Sequence, residues 1–122
     1  KKELKCFKVF EDNKHLAFLD IRPNTEGHTL CIPKKENDYI FDLSETEFVD
    51  LMRFARIVAL GIKKAIDCSR VAISVVGLEI KHTHIHLIPI KSEKDVNFDF
   101  KVSFSEEEMD KIARKINDSI SY

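Results

Sequence analysis

The sequence predicts an α+β domain with a five-stranded antiparallel sheet, in one domain over residues 1–122. Two long stretches carry apolar residues at helical spacing, and each begins with a capping box. The other apolar stretches are short and rich in β-branched residues, which is typical of strands. The predicted order is three strands, one long central helix, two strands and a C-terminal helix.

The N-terminal part is predicted to form three antiparallel strands. Apolar runs at Cys6–Phe10 and His15–Ile21 flank the polar residues 11–14, which is the pattern of a hairpin. A loop over Arg22–Gly27, marked by proline, asparagine and glycine, leads to a third strand at His28–Pro33. This connection is too short for a helical crossover, so the third strand must run antiparallel to the second.

A long helix is predicted after Ser44. The hydroxyl of Ser44 can accept a hydrogen bond from the amide of Glu47, whose carboxylate can reach back to the serine amide. Apolar residues then keep helical spacing for about six turns. The apolar residues that lie off this stripe are Val49, Phe54, Ile57 and Leu60. One sheet face cannot cover so wide a surface, so we expect a second partner and a homodimer.

The C-terminal part supplies the last two strands and the second helix. Strands are predicted at Val71–Val76 and His84–Ile90. A short alternating apolar piece follows over residues 98–104, and a second capping box at Ser105 and Glu108 opens the terminal helix.

Composition argues against several classes of function. The 122 residues contain 20 Lys and Arg against 21 Asp and Glu, so the chain has no basic footprint of a nucleic-acid binder. No apolar run approaches the roughly 20 residues that a membrane span needs. The three cysteines are far apart and form no CxxC pair, which predicts reduced thiols in or near the core and a cytoplasmic protein.

The most informative feature is three histidines at alternating positions, His82, His84 and His86. In an extended strand they project from one face, where each imidazole brings polar nitrogens that need partners. Four interpretations are open: histidines satisfied by hydrogen bonds, a zinc site, an anion-binding face without chemistry, and phosphorus chemistry with an imidazole nucleophile. Zinc is disfavoured because no cysteine or carboxylate lies nearby at ligand spacing.

Two segments resemble the histidine-triad (HIT) superfamily. His82–Pro89 is similar to its signature HφHφHφφ, where φ is apolar, with Thr83 as a departure. Ala17–Lys34 resembles the family's other characteristic block, at the usual distance. Gly77–His82 and the terminal helix resemble a bacterial branch that includes nucleotide hydrolases and nucleoside phosphoramidases. The resemblance therefore implies a HIT-like fold.

The resemblance implies a role for each of four histidines. His84 is the nucleophile that attacks the α-phosphorus of a nucleotide, forming a nucleotidyl-histidine that water hydrolyses. Its other nitrogen is held by the main-chain carbonyl of His82. The imidazoles of His82 and His86 flank the phosphate as hydrogen-bond donors. His28 is a fourth histidine that orients the triad.

The same resemblance implies a nucleotide site. Asp20 accepts hydrogen bonds from the ribose hydroxyls, and Phe18 and Ile21 form the apolar wall beside the base. The implied substrates are purine nucleoside 5′-phosphoramidates or related conjugates of AMP or GMP type, hydrolysed by a homodimer without metal or other cofactor. A dinucleoside polyphosphate hydrolase and a non-catalytic nucleotide-binding regulator stay open as alternatives.

The chain also departs from the family pattern. Leu78 stands where many members carry a glutamine that touches the phosphate, and the asparagine that often precedes the triad has no equivalent. The apolar segment that closes the base pocket in the family is largely absent, with Leu4 as its last remnant. We therefore expect an N-terminal segment to precede Lys1.

Overall fold

The computed structural model describes residues 6–122, and it confirms a five-stranded antiparallel sheet with two helices. The strands are β1 (Lys8–Glu11), β2 (His15–Leu19), β3 (Thr29–Pro33), β4 (Arg70–Ser74) and β5 (Ile85–Ile90). The helices are α1 (Glu45–Ala65) and α2 (Glu106–Asp118). The order in the sheet is β1-β2-β3-β5-β4. Leu4, the expected remnant of a pocket-closing segment, lies outside the described residues.

The two faces of the sheet have different surroundings. Ala17, Cys31 and Ile85 lie opposite one another on neighbouring strands and are fully buried in the core with α1. Side chains alternate along a strand, so the next row, with Leu30 opposite His86, belongs to the other face. Residues of that row are only partly buried on β2 and β3. The face that carries His86 is therefore the half-open face of the sheet.

The first helix begins as predicted and is covered more fully than predicted. The Ser44 hydroxyl accepts from the Glu47 amide, and the Glu47 carboxylate accepts from the Ser44 amide. Phe54 was expected to need an outside partner, and this was wrong because it is only 2% exposed. Its ring lies 5.6 Å from that of Phe10 and 4.9 Å from that of His15, so the β1–β2 hairpin covers it.

The other off-stripe residues of α1 are less covered. Val49 and Leu60 are 45% and 49% exposed, and Ile57 is half-buried. The second helix packs against α1 at Gly61, where an added Cβ would lie 2.5 Å from Cγ1 of Ile120. A glycine at this position therefore lets the two helices approach closely.

The C-terminal segment between β5 and α2 is irregular. Residues 98–104 form no strand; a 3₁₀ turn over Glu93–Val96 is followed by irregular chain. The amide of Val102 donates to the carbonyl of Pro23 at 3.0 Å, which ties this chain to the loop before β3. The alternation of apolar residues in this segment therefore does not mark a strand.

Two further sequence predictions concern the membrane and the cysteines. None of the helices within residues 6–122 is long and apolar enough to cross a membrane. All three cysteines are free: Cys31 is buried, Cys68 is half-buried and Cys6 is exposed. The expected position in or near the core is therefore wrong for Cys6. Burial raises the pKa of the Cys31 thiol, which makes this group unreactive near neutral pH.

Candidate active site

The sheet brings three of the four predicted histidines into one buried group. His86 lies on β5, paired with Leu30, and His28 immediately precedes β3. His28 is 0% exposed, whereas His84 and His86 are each 8% exposed. The ring centroids of His84 and His86 are 4.9 Å apart, and those of His28 and His86 are 5.2 Å apart. Antiparallel pairing of β3 with β5 is what makes His28 a neighbour of His86.

The hydrogen bond of His84 fixes which of its nitrogens carries a proton. Nδ1 of His84 lies 2.8 Å from the main-chain carbonyl oxygen of His82. A carbonyl oxygen can only accept, so Nδ1 must be the donor. In the neutral ring Nε2 then has a free lone pair. The geometry thus leaves His84 with an unprotonated nitrogen available for attack on an electrophile.

The main-chain carbonyl of His82 holds the ring of His84 as expected, whereas the imidazole of His82 makes a contact that was not expected. β5 begins at Ile85, so His82 and His84 precede the strand, and a strand through all three histidines was wrong. Nε2 of His82 donates to the carbonyl of Pro33 at 2.8 Å. The amide of Thr83 donates to the carbonyl of Asn37, which ties this stretch to the loop after β3. In the part of the chain that the structure describes, His82 reaches the histidine group through its carbonyl oxygen.

The pair His28–His86 has a defined direction of hydrogen bonding. The main-chain N–H of Asn24 donates to Nδ1 of His28 at 2.9 Å, so this nitrogen is the acceptor. Neutral His28 therefore carries its proton on Nε2, which lies 3.0 Å from Nδ1 of His86. His86 accepts there and, when neutral, carries its own proton on Nε2. We call this chain of contacts, from Asn24 N–H through His28 to His86, the histidine relay.

Burial keeps both rings of the relay neutral. Desolvation, followed by His86 and Lys101, lowers the pKa of His28 to about 3. Desolvation, followed by His84 and Lys101, lowers the pKa of His86 to about 4. Oδ2 of Asp20 lies 3.7 Å from Nε2 of His28, which is close enough for an ion pair. Because desolvation dominates and His28 is fully buried, the contact is to a neutral ring at neutral pH.

Of the three residues predicted for the nucleotide, Asp20 lies beside His28, and Phe18 lies in the same row of the sheet as Leu30 and His86. Asp20 follows β2, and its Oδ1 accepts from the amide of Arg22 at 2.9 Å. Phe18 is half-buried, and Ile21 is 49% exposed. Leu30, which sequence reasoning missed, lies between Phe18 and His86 in the strand register. The alternation of side chains along β3 could have predicted which face of the sheet Leu30 lies on. It could not have predicted that Leu30 lies between Phe18 and His86.

Three more residues were missed altogether. The ring of Phe98 packs edge-on against His86, with centroids 4.8 Å apart. Nζ of Lys101 lies 5.1 Å from the centre of the Phe98 ring and donates to Oδ1 of Asn24 at 2.8 Å. No motif marks these residues, and the hydrogen bond between Lys101 and Asn24 joins positions 77 apart in the sequence.

Asp20, His28 and His86 are also the residues that could hold a metal ion. One donor atom from each lies within 4.8 Å of the others. However, the nearby nitrogens of His28 and His86 share one proton, and a metal would need both lone pairs. A metal on Nε2 of His28 would also move the ring proton to Nδ1, against the N–H of Asn24. The donor set therefore fits a metal poorly.

A chelator is accordingly expected to leave any hydrolytic activity unchanged. The hydrogen-bonding pattern already satisfies the nitrogens that would coordinate the ion. Turnover of a nucleoside 5′-phosphoramidate, measured before and after EDTA treatment and again with added Zn²⁺, checks this. Loss of activity with EDTA and recovery with zinc would contradict the prediction.

A buried group of histidines at the β3–β5 pairing of such a sheet defines a histidine-triad protein. Residues 1–93 match the family model described as "HIT domain", and the chain belongs to this family. An uncharacterized HIT-like protein of Borreliella burgdorferi is 34% identical over 107 residues, covering 82% of this chain and 76% of the relative. The adenosine 5'-monophosphoramidase HNT1 of Saccharomyces cerevisiae is 36% identical over 97 residues, covering 77% of this chain and 60% of the yeast protein.

A solved structure shows the same fold over nearly the whole chain. The crystal structure of a Hit-like protein from Bartonella henselae superposes with a TM-score of 0.83 at 25% sequence identity. The match covers 96% of this chain and 88% of that one. It therefore extends beyond residue 93, where the family model ends.

Proposed function

We propose that this protein hydrolyses purine nucleoside 5′-phosphoramidates, or related nucleotidyl conjugates, through a covalent nucleotidyl-histidine on His84. The observation that carries the proposal is the hydrogen bond from Nδ1 of His84 to the carbonyl of His82, which leaves Nε2 free for attack. The phosphoramidase activity named for the yeast relative supports the choice of substrate.

The reaction divides into two displacements. Nε2 of His84 attacks the α-phosphorus, and the bond from phosphorus to the leaving amine breaks. The relay places a proton on Nε2 of His86, beside His84, so His86 donates this proton to the departing nitrogen. Water then attacks phosphorus and returns a proton to His86 as the bond to His84 breaks. The products are a free amine and a nucleoside monophosphate.

The nucleotide is proposed to lie on the half-open face of the sheet. Asp20 accepts hydrogen bonds from the ribose hydroxyls through the carboxylate oxygens that the Arg22 amide leaves available. Phe18, Leu30 and Ile21 offer partly exposed apolar surface to the base. Asp20 lies beside His28, and Phe18 and Leu30 lie in the row of His86, which supports a nucleotide bound with its phosphate at His84.

Detection of the covalent intermediate tests the proposal. Wild type mixed with adenosine 5′-phosphoramidate and quenched in alkaline denaturant is expected to gain the mass of one nucleotidyl group in intact-protein mass spectrometry. The His84→Ala variant should gain none. His15→Gln is a matched control, because His15 is another buried histidine, paired with Asp12 outside the site. An adduct on the alanine variant, or none on wild type, would contradict the proposal.

Two alternatives are separated by kinetics. A dinucleoside polyphosphate hydrolase would turn over a diadenosine polyphosphate faster than the phosphoramidate, and both substrates can be compared directly. A nucleotide-binding regulator would bind AMP without forming an adduct or releasing product. Leu78, which stands in place of a phosphate-contacting glutamine and is 83% exposed, is the feature that favours the regulator.

Turnover is expected to fall at acid pH. His84 attacks only while Nε2 is unprotonated, so the rate declines when this nitrogen takes up a proton in acid. The lowered pKa of His86, about 4, means that the relay stays neutral until the pH approaches that value. A second loss is expected only below it. With chemistry shown to be rate-limiting, a flat profile of kcat from about pH 4 to about pH 8 would contradict an imidazole nucleophile.

We also propose that the protein is a homodimer. Within residues 6–122, β4 lies at one edge of the sheet. Beside it, Ile73, Val76 and Leu78 are 52%, 54% and 83% exposed and line a cavity of about 550 Å³ with Tyr39 and Phe41. An apolar strand edge of this kind is a ready surface for pairing with a second copy.

Light scattering in dilute solution is expected to give twice the chain mass of 14.2 kDa. Ile73→Lys places a charge on the edge strand and should shift the protein to a monomer. Val96→Lys changes another exposed apolar residue, 41% exposed, and should leave the dimer intact. A monomeric wild type would overturn the assignment, and a dimeric Ile73→Lys would place the interface elsewhere.

A further inference from the structure

The carboxamide of Asn24 is held by the C-terminal part of the chain. Nδ2 of Asn24 donates to the carbonyl of Asp95 at 3.0 Å, and Oδ1 accepts from Nζ of Lys101 at 2.8 Å. Asn24 is only 4% exposed. The main-chain N–H of this same residue donates to Nδ1 of His28. Asp95 and Lys101 therefore hold Asn24 in place. The main-chain N–H of Asn24 in turn determines which nitrogen of His28 carries the proton.

Phe98 ties the same segment to the other end of the relay. Its ring packs edge-on against His86 and also lies 6.2 Å from the ring of His28. Nζ of Lys101 lies over the Phe98 ring, at a distance where a cation is attracted to the aromatic face. These residues lie beyond residue 93, where the match to the family model ends. We call the contacts of Asn24 with Asp95 and Lys101 the Asn24 clamp.

We propose that Asn24 and Lys101 are positioning residues, which hold the histidine relay in the direction that leaves a proton on Nε2 of His86. The effect on turnover rests on the proposed function, whereas the effect on the histidine tautomers does not.

The physical reason lies in the two ways in which the His28–His86 hydrogen bond can form. With the Asn24 N–H in place, Nδ1 of His28 must accept, so Nε2 donates to His86. Without that N–H, His28 can carry its proton on Nδ1, and His86 can donate in the reverse direction from its own Nδ1. Nε2 of His86 would then have no proton for the leaving group. Only the clamped direction makes His86 a proton donor towards the site.

The positive charge of Lys101 also favours the hydrogen bond from the Asn24 N–H to His28. The charged and titratable groups that face the His28–His86 pair are Asp20 after β2, His84 before β5 and Lys101 from the C-terminal segment. The ammonium group disfavours a second proton on either ring, and it contributes to the lowered pKa of both. A second proton on His28 would occupy Nδ1 and displace the Asn24 N–H. The cation therefore protects the same hydrogen bond.

The experiment compares Asn24→Ala, Lys101→Met and Lys101→Arg with wild type. Lys91→Met is the matched control, because Lys91 is another exposed lysine, its Nζ lies 3.2 Å from the exposed Asp67, and the substitution keeps its main-chain N–H, which donates to Asp95. The tautomer of His28 is read without substrate from its imidazole ¹⁵N shifts. kcat and KM are then measured with adenosine 5′-phosphoramidate, and thermal unfolding reports any loss of stability.

Wild type is expected to show His28 protonated on Nε2 only. Asn24→Ala should give a mixture of tautomers and lower kcat on the order of tenfold to a hundredfold, with KM nearly unchanged. Lys101→Met should change both readouts in the same direction but less, and its histidine titration should move to higher pH. Lys101→Arg keeps the cation and a donor to Asn24, so it should restore wild-type behaviour. Lys91→Met should match wild type.

The proposal is overturned if His28 keeps the wild-type tautomer in both Asn24→Ala and Lys101→Met, even if kcat falls, because the loss would then be merely structural. Should Asn24→Ala fail to fold, Lys101→Met decides the question alone, since Lys101 is exposed. A wild type without a nucleotidyl adduct, combined with altered tautomers in the variants, would refute the proposed function and leave the clamp standing.

Discussion

Replacing His84 by alanine is expected to lower kcat for a nucleoside 5′-phosphoramidate by at least about a thousandfold, because the attacking atom itself is removed. AMP should still bind, since the residues proposed to hold the ribose and base lie outside the substituted position. Release of nucleoside monophosphate gives kcat, and titration calorimetry with AMP gives the affinity.

Together, kcat and the affinity for AMP distinguish a loss of catalysis from a loss of the binding pocket. Loss of both turnover and AMP binding would mean that His84 is needed for the pocket, and circular dichroism of the variant shows whether the fold survives. Retention of turnover within about tenfold of wild type would remove His84 from the role of nucleophile.

His86→Asn is expected to cause the second largest loss, on the order of a hundredfold to a thousandfold in kcat, because it removes the proposed proton donor to the leaving group. A substrate with a leaving group that needs no proton should be affected far less. kcat for a phosphoramidate and for a nucleotide ester of an acidic phenol, measured on the same variant, checks this difference.

His82→Asn is the control for His86→Asn. The structure assigns His82 a contact through its main-chain carbonyl, which the substitution leaves in place. The new carboxamide can also donate to the carbonyl of Pro33 as the imidazole does. The expected loss is under about tenfold. Equal losses in the two variants would show that the imidazole of His82 acts on the substrate directly.

The fold was predictable where its signals are local. Each helix begins at a serine and glutamate that satisfy each other's main-chain amides, and both capping boxes are present in the structure. The hairpin and the third strand follow from short connections that leave no room for a crossover. By contrast, the piece over residues 98–104 has strand-like alternation but is irregular in the structure.

The site was predictable in its residue types and only partly in its geometry. Three alternating histidines indicated a functional group, and the family resemblance pointed to His28 and Asp20, which do lie beside His86. The contact of the His84 ring with the His82 carbonyl is local, since it spans two residues. The bend that takes His82 out of the strand depends on Thr83 and Asn37, which are 46 positions apart.

The sequence by itself was enough to predict the helices and strands, the family, and which histidines belong to the site. Each of these predictions depends on the spacing of residues within short segments. The tertiary structure alone decided which nitrogen of His28 and of His86 carries the proton. That choice depends on the hydrogen-bond partner opposite each ring, and for His28 the partner is an amide in a loop held by residues about 70 positions further along the chain. A buried imidazole has two neutral tautomers of similar energy, so a single distant N–H is enough to select the one that leaves His86 able to donate.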